Sequence, residues 1–181
     1  MEKKLFEKTI SEKTIFNGRI IDLVLKDVEL PDGKTSKREI INHPGAVAII
    51  AVTESKKIVL INQFRKPLEK TIIEIPAGKL EKGEDPLKCA KRELEEETGY
   101  KPKEIEAVTS FYTSPGFADE LVHIYFTDKL ELGEVNRDDD EFLDVLEVTL
   151  EEAEALIEKQ LIHDAKTVYA IQYLKLKGGL L

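Results

Sequence analysis

The stretch GKLEKGEDPLKCAKRELEEETGY, residues 78–100, predicts a single amphipathic helix. Asp85 is a favoured N-cap residue, and Pro86 fits the first helical turn because its missing N–H would have no partner there. Gly99 is the residue expected just past a helix C-terminus. The core-facing stripe consists of residues that recur at spacings of three and four: Leu87, Ala90, Leu94 and Thr98. These signals place a helix at residues 86–98.

One side of this helix carries an unusual concentration of negative charge. Glu93, Glu96 and Glu97 lie together beside the apolar stripe, because successive helical residues are about 100° apart. Like charges four residues apart destabilise a helix, and a helix C-terminus favours cations over anions. A solvated charged surface is the ordinary explanation in a chain with 35% charged residues. Clustered carboxylates are also the hard oxygen ligands that Mg²⁺ and Mn²⁺ prefer.

The spacing of this segment resembles the Nudix box and favours the metal site. That pattern is a glycine, five residues, a glutamate, seven residues, and then Arg-Glu-apolar-x-Glu-Glu-x-Gly-apolar. The matching positions are Gly78, Glu84, Arg92, Glu93, Leu94, Glu96, Glu97 and Gly99. Tyr100 stands where an aliphatic residue is more usual. A match over 23 residues is far more specific than a short glycine signature.

The resemblance implies divalent-metal chemistry with Mg²⁺ or Mn²⁺ as the cofactor. Glu93 and Glu97 would be the principal metal ligands, and Glu96 would bridge or assist. The carbonyl of Ala77 would complete the coordination. Arg92 would orient the glutamates, as residues that contact metal ligands commonly do.

The family places its general base in an acidic cluster on a loop after the box. The corresponding cluster here is Asp138-Asp139-Asp140-Glu141, and Glu141 is our choice of base. Asp139 and Asp140 remain candidates, because the register of such a run cannot be read from sequence. A solvated acidic loop is the alternative interpretation.

Further segments resemble the ADP-ribose pyrophosphatase group of the Nudix family. Pro115 lies sixteen positions beyond Gly99, as the proline typical of that group does, although Ser-Pro-Gly alone would be an ordinary tight loop. The other similar segments are Lys-Arg-Glu-Ile-Ile at 37–41, His-Pro-Gly at 43–45, Gln-Phe-Arg-Lys-Pro at 63–67 and Glu-Ile-Pro-Ala-Gly at 74–78. The resemblance therefore implies metal-dependent hydrolysis of ADP-ribose to AMP and ribose 5-phosphate.

Substrate contacts follow from the same resemblance. The candidates are Arg38, Arg65, Glu74, Pro115, Gly116 and Glu120. Arg38 and Arg65 suit phosphate or ribose because a guanidinium presents forked donors. Glu74 suits ribose hydroxyls or the adenine amino group. Phe16, in a turn-like segment at 14–18, is a candidate for stacking on adenine and equally for a place in an N-terminal sheet.

Two other functions stay open. One is hydrolysis of a different nucleoside diphosphate derivative, such as a GDP-sugar or NADH, since the residues that contact the base cannot be read here. The other is a nonenzymatic nucleotide-sensing module, which the intact box disfavours because function depends on the site more than on the fold.

Composition limits the partners and the compartment. The net charge is −9, from 27 basic and 36 acidic residues, which argues against a nucleic-acid surface. The single Cys89 excludes an intrachain disulfide and fits a reducing, cytoplasmic location, where it would be helix filler. The chain has no recognisable leader and no apolar run approaching 18 residues, so we expect neither secretion nor a membrane span.

The pattern along the chain predicts an α/β fold. Strands are expected at 5–10, 19–30, 37–42, 46–52, 57–64, 71–75, 105–113, 120–127 and 143–149, with further helices at 150–160 and 164–177. The Nudix resemblance implies an α/β/α sandwich with a mixed sheet over residues 43–181. Residues 1–42 would form a small antiparallel sheet through which the family commonly forms homodimers.

Overall fold

The computed structural model describes residues 4–136 and 142–178, which contain twelve strands, three α-helices and a 3-10 helix at Lys66–Leu68. The strands are β1 Lys8–Asn17, β2 Asp22–Glu29, β3 Thr35–Asn42, β4 Ala46–Ala51, β5 Ile58–Arg65, β6 Lys70–Glu74, β7 Ala77–Lys79, β8 Tyr100–Pro102, β9 Glu106–Tyr112, β10 Leu121–Thr127, β11 Leu130–Leu132 and β12 Leu143–Val148. The helices are α1 Pro86–Thr98, α2 Leu150–Glu158 and α3 Ala165–Leu176.

The predicted mixture of strands and helices is confirmed. The structure differs from the prediction in the N-terminal strand and in three short strands. Strand β1 runs from Lys8 to Asn17, so the turn expected at 14–18 is wrong and Phe16 lies in a strand. Strands β7, β8 and β11 have three residues each and were not predicted. Three residues are too few to show the alternation on which strand prediction depends.

Contacts along the backbone divide the chain into two compact units. The first unit contains the described residues up to Gly45 together with Phe111–Val122, and the second contains the rest. Strands β1, β2 and β3 of the first unit form the expected antiparallel sheet in the order β1-β2-β3. A turn at Pro31-Asp32-Gly33 connects β2 to β3, with Gly33 at φ +82° and its N–H donating to the Leu30 carbonyl at 2.9 Å.

The loop after β9 is fastened to the end of β3 within the first unit. The N–H of Ile41 donates to the Phe117 carbonyl at 2.8 Å, and the N–H of Asp119 donates to the Ile41 carbonyl at 3.2 Å. The Asp119 carboxylate also accepts the N–H of His43 at 2.7 Å. These bonds hold the segment that contains Pro115 as an ordered loop.

The other strands form three sheets, with a helix on each face of β10. Their orders are β7-β4-β10-β9, β12-β5-β6 and β11-β8. Tyr125 belongs to the core cluster that contains Cys89, Ala90 and Leu94 of α1. The next residue, Phe126, contacts Tyr173 of α3 with ring centroids 6.0 Å apart. Because successive strand residues point to opposite faces, α1 and α3 cover opposite faces of this strand.

The two C-terminal helices begin at well-formed caps. Thr149 and Glu152 form a capping box at the start of α2, and the Asp164 side chain accepts the N–H of Thr167 at the start of α3. The buried hydroxyl oxygen of Thr167 accepts the N–H of Ile75 at 2.9 Å, which joins α3 to the end of β6. None of the described helices is both long and apolar enough to cross a membrane.

Candidate active site

Helix α1 has the predicted boundaries. Asp85 accepts the N–H of Lys88 at 3.0 Å, Pro86 opens the helix, and Gly99 closes it at φ +74° with its N–H bonded to the Glu95 carbonyl. The buried residues are Cys89, Ala90, Leu94, Glu97 and Thr98. Leu87 is 38% exposed, so its place in the core stripe was predicted wrongly. The buried face is centred closer to Cys89, because that side of the helix packs on β4 and β7.

Glu97 is a buried carboxylate in the contact between α1 and β7. The residue is 1% exposed, and its Oε2 atom accepts the backbone N–H of Ala77 at 3.0 Å. A buried charge is tolerated only with hydrogen-bonding or ionic partners. The helix therefore places this carboxylate beside the main chain of Ala77, the residue whose carbonyl was the predicted fourth oxygen ligand.

Gly78 allows the carboxylate of Glu93 to lie directly against the main chain. A Cβ atom on Gly78 would overlap all three atoms of that carboxylate group, well inside van der Waals contact. Only 14% of the Glu93 side chain is exposed. The first glycine of the motif is thus required for close approach of backbone and side chain.

Arg92 lies among three carboxylates. Its Nε atom is 3.1 Å from Glu84 Oε1, and its Nη1 atom is 2.8 Å from both Glu93 Oε1 and Glu96 Oε2. Glu84 also accepts the backbone N–H of Glu81 at 3.0 Å, which fixes its position at the start of the helix region. The guanidinium fork can therefore orient three acidic side chains at once.

The ion pair between Glu84 and Arg92 favours the charged form of both side chains. Hydrogen bonding to Arg92 lowers the pKa of Glu84 to about 2, although partial burial acts in the opposite direction. The pKa of Arg92 is raised above its ordinary value, first by the hydrogen bond to Glu84 and further by Glu93 and Glu96. Glu84 is consequently ionised throughout the physiological pH range.

The oxygen donors of this site are of the chemical type that a hard divalent cation binds. Carboxylates of Glu93, Glu96 and Glu97 lie on one side of α1, and one of them contacts the main chain of Ala77. The guanidinium nitrogen between Glu93 and Glu96 shows that positive charge is accommodated there. Within residues 4–136 and 142–178, no group of three or more acidic, histidine or cysteine side chains is arranged so that it could hold a metal ion.

Cys89 is a buried structural residue of α1. Its thiol donates to the Lys79 carbonyl at 3.5 Å and accepts from Arg92 Nη2 at 3.4 Å. Burial, followed by the nearby carboxylates of Glu84 and Glu93, raises the pKa of the thiol to about 12. A thiol of this kind is a poor nucleophile, so the predicted role as helix filler is confirmed.

Two predicted substrate residues contact each other. Glu74 is only 3% exposed, and its Oε2 atom is 2.5 Å from Arg65 Nε. Its other oxygen is 2.5 Å from Lys166 Nζ. Lys166 was missed in the sequence because 92 residues separate it from Glu74 and no local pattern relates the two.

The remaining predicted substrate residues belong to the first unit. Arg38 forms a forked ion pair with Glu7, at 2.6 Å and 2.9 Å, and hydrogen bonding to Arg38 lowers the pKa of Glu7. Glu120 accepts the hydroxyl of Thr113 at 2.5 Å. Pro115 and Gly116 lie in the loop between β9 and β10.

The general-base candidates fall in one acidic segment. Glu141, Asp139 and Asp140 all lie outside the described residues. Their assignment therefore stays a prediction.

Comparison with known proteins identifies the family. Residues 42–170 match the NUDIX domain model, and residues 7–41 match the model of the nucleoside diphosphate sugar hydrolase N-terminal domain. The chain therefore belongs to the Nudix family, as the motif at residues 78–100 predicts.

Individual relatives extend over nearly the whole chain. An ADP-ribose pyrophosphatase of Bacillus subtilis (strain 168) is 61% identical, with 98% of this chain and 97% of the relative covered. A methanol dehydrogenase activator of Bacillus methanolicus is 58% identical over the same shares of the two chains. A GDP-mannose pyrophosphatase of Cronobacter sakazakii (strain ATCC BAA-894) is 34% identical, with 95% and 94% covered.

A solved structure supports the fold. The crystal structure of an ADP compounds hydrolase superposes with a TM-score of 0.83 at 20% identity, covering 95% of this chain and 96% of that one. At this identity the similarity shows the architecture, and the predicted Nudix-type fold is confirmed.

Proposed function

We propose that this protein is a divalent-metal-dependent Nudix pyrophosphatase that hydrolyses ADP-ribose to AMP and ribose 5-phosphate. The observation that carries the proposal is the near-full-length similarity, at 61% identity, to an ADP-ribose pyrophosphatase. The arrangement of the motif supports it, since Glu93, Glu96 and Glu97 all lie on one side of α1 beside β7. Hard oxygen donors of this kind suit the chemistry of pyrophosphate cleavage.

Each residue of the motif has a distinct part in the proposed reaction. Glu93, Glu97, Glu96 and the Ala77 carbonyl would hold the metal, for which Mg²⁺ or Mn²⁺ is proposed. The bound metal supplies neutralisation of phosphate charge and a more acidic water. Arg92 holds Glu93 and Glu96 in position through its guanidinium.

The reaction adds one water across the pyrophosphate. The water oxygen attacks one phosphorus, the bridging oxygen leaves with the other phosphate, and Glu141 accepts the proton that the water loses. Glu141→Gln is therefore expected to remove most of the turnover while substrate binding is retained. Turnover near wild type at saturating Mg²⁺ would reject this base.

The substrate contacts predicted from the sequence are proposed residue by residue. Arg65 and Arg38 would bind phosphate or ribose oxygens, and Glu120 would accept hydroxyl or amino groups. Glu74 was predicted to accept such groups too, but it is 3% exposed with a cation at each carboxylate oxygen, so we propose that it holds Arg65 in place. Pro115 and Gly116 would shape the loop beside the substrate. For Arg65 the proposal is supported by a side chain that is 36% exposed while its Nε atom is fixed on Glu74.

A second candidate function is hydrolysis of a GDP-sugar. The 34% identical GDP-mannose pyrophosphatase, which is covered over 94% of its length, favours it over other nucleotides. A panel of ADP-ribose, GDP-mannose and NADH at equal concentrations would separate the candidates by their kcat/KM. Thermal stabilisation by ADP-ribose without turnover of any of these compounds would instead support the nonenzymatic sensing module.

We propose further that the protein is a cytoplasmic homodimer assembled through its N-terminal sheet, residues 1–42. All ten residues of β1 are exposed, and Ile10, Ile15 and Phe16 among them are at least half exposed. Exposed apolar side chains in a row are typical of an interaction surface. Light scattering coupled to gel filtration would show a mass of about one chain if this proposal is wrong.

The first experiment on function is product analysis with ADP-ribose and Mg²⁺. We expect AMP and ribose 5-phosphate in equal amounts, and no products after chelation with EDTA. Inorganic phosphate as the product, or equal turnover in EDTA, would reject the proposed reaction.

A further inference from the structure

A buried ion network centred on Glu74 connects the last helix to strand β6. Glu74 is 3% exposed, with Arg65 Nε 2.5 Å from one carboxylate oxygen and Lys166 Nζ 2.5 Å from the other. Both oxygens of a buried carboxylate thus contact a cation. Such a carboxylate is stable only while its partners remain in place.

The position of Lys166 is determined by the start of α3. Its Nζ atom lies 2.9 Å from Asp164 Oδ1, and that same oxygen accepts the N–H of Thr167 at 3.1 Å as the helix cap. The Lys166 and Asp164 side chains are 16% and 17% exposed. The capped helix start fixes the backbone of Lys166, and Asp164 holds its ammonium group. The Glu74 carboxylate can therefore contact this ammonium group only at a defined position.

Arg65 differs from Lys166 in exposure, because part of the Arg65 side chain is available to a ligand. Its Nε atom is occupied by Glu74, and 36% of the side chain is exposed. In the described part of the chain, the terminal guanidinium nitrogens make no hydrogen bond. These are the nitrogens that bind phosphate oxygens as a fork.

We propose that Lys166 is a positioning residue that orients the guanidinium of Arg65 toward the pyrophosphate of the substrate. Lys166 holds one oxygen of Glu74, which keeps the other oxygen on Arg65 Nε and thereby sets the direction of the guanidinium. Removal of the ammonium group leaves one oxygen of the buried Glu74 carboxylate without its cation, and the carboxylate turns toward Arg65, the remaining cation. This inference rests on the proposed function, because it requires an anionic substrate at Arg65.

A purely structural role for Lys166 makes a different prediction. If Lys166 only joined α3 to β6, its substitution would change the stability of the fold. Any effect of that substitution on substrate binding would then be independent of Arg65. As a positioning residue, it acts on the substrate only through Arg65. A double-mutant cycle between the two residues separates these roles.

The test measures KM and kcat for ADP-ribose in the full-length protein with Mg²⁺. We expect Lys166→Met to raise KM about tenfold and to change kcat less than about threefold, because a charge-assisted contact to the substrate is weakened. In an Arg65→Ala background, Lys166→Met should raise KM by less than about twofold more. Lys166→Arg, which retains the charge, should recover most of the wild-type KM.

Lys175→Met is the matched control, because Lys175 lies on the same helix and pairs with Glu154 at 2.5 Å on the exposed side. Its KM should equal that of wild type. If Lys166→Met does not fold by circular dichroism, the cycle is run with Lys166→Gln under the same criteria. An unchanged KM in the Lys166 variant, or an effect that multiplies with that of Arg65→Ala, would overturn the inference. Wild-type protein without activity on ADP-ribose would instead reject the proposed function.

Discussion

Helix α1 and strand β1 depart from the usual distribution of residues in opposite ways. In α1, the acidic side chain of Glu97 is 1% exposed and lies in the core contact with β7. In β1, all ten residues are exposed, including the apolar Ile10 and Ile15. Buried charges and exposed apolar rows both carry a cost for an isolated chain, so each indicates a ligand or a partner. For α1 we propose that the ligand is a divalent cation, and for β1 a second copy of the chain.

The comparison is tested most strongly by Glu97→Gln. The change keeps the volume and the acceptor for the Ala77 N–H, yet it removes the buried charge. We expect activity on ADP-ribose to fall by more than about a thousandfold, because the metal would lose one of its two proposed principal ligands. Steady-state rates with Mg²⁺ measure the effect, and the melting temperature should stay at or above that of wild type.

Glu95→Gln is the control for this substitution. Glu95 lies on the same helix but pairs with Lys101 at 3.5 Å, away from the proposed ligands. Its activity should be within about threefold of wild type. Equal losses in the two variants would mean that the helix charge as a whole matters, and the metal site would be wrongly assigned.

The double substitution Ile10→Ser with Ile15→Ser tests the other side of the comparison. Both side chains are at least half exposed, so the fold of one chain should be retained. If they lie in a dimer interface, the dissociation constant should rise by about a hundredfold or more, since each buried aliphatic side chain contributes about 1.5–3 kcal/mol. Analytical ultracentrifugation over a concentration series measures the constant, and an unchanged value would remove β1 from the interface.

Gly78→Ala tests whether Glu93 of α1 must lie against the main chain to bind the proposed metal. The added Cβ atom would overlap the Glu93 carboxylate, so that side chain must move away from the main chain. We expect the Mg²⁺ concentration for half-maximal activity to rise about tenfold and stability to fall by about 1–3 kcal/mol. Metal titrations and urea unfolding would measure the two effects. A variant with the wild-type metal requirement would show that Glu93 is a weaker ligand than proposed.

Thr167→Val tests a buried neutral contact rather than a charged one. Loss of the hydroxyl leaves the N–H of Ile75 without its acceptor inside the core, which should lower the free energy of unfolding by about 1–3 kcal/mol. Thr109→Val, on exposed strand β9, should change it by less than about 0.5 kcal/mol. Equal values for the two variants in urea unfolding would contradict the importance assigned to this contact.

The smallest effect is expected at Cys89. Because burial raises the pKa of the thiol to about 12, it stays protonated in the folded protein at pH 9, where an unfolded cysteine is about half ionised. A raised pKa stabilises the fold below the ordinary pKa of 9.0, and this contribution is lost as the pH rises toward 12. Iodoacetamide at pH 9 should react far more slowly with native than with urea-unfolded protein. Similar rates would show that the thiol is accessible.

The sequence predicted local structure best where the determining contacts are short in range. The boundaries of α1 follow from Asp85, Pro86 and Gly99, whose effects act within one helical turn. Its buried face was predicted less well, since Leu87 is exposed and Cys89 is buried. Which side of the helix faces the core depends on how the helix is rotated against β4 and β7.

The candidate site, too, was predicted where the contacts are local in sequence and missed where they are not. The motif at 78–100 determined, by spacing alone, which glutamates share one side of α1, because the helical repeat is constant. It could not determine that Ala77 donates to Glu97, since twenty residues separate them and their contact depends on the pairing of β7 with β4.

The amino-acid sequence by itself determined the family, the helix that bears the motif and the residue types that suit a metal and a pyrophosphate. Only the tertiary structure decided that Glu74 lies between Arg65 and Lys166, two cations whose positions in the chain differ by about a hundred residues. The physical reason is that helix and cap signals act between neighbours along the chain, whereas buried ion pairs depend on which strands and helices pack together.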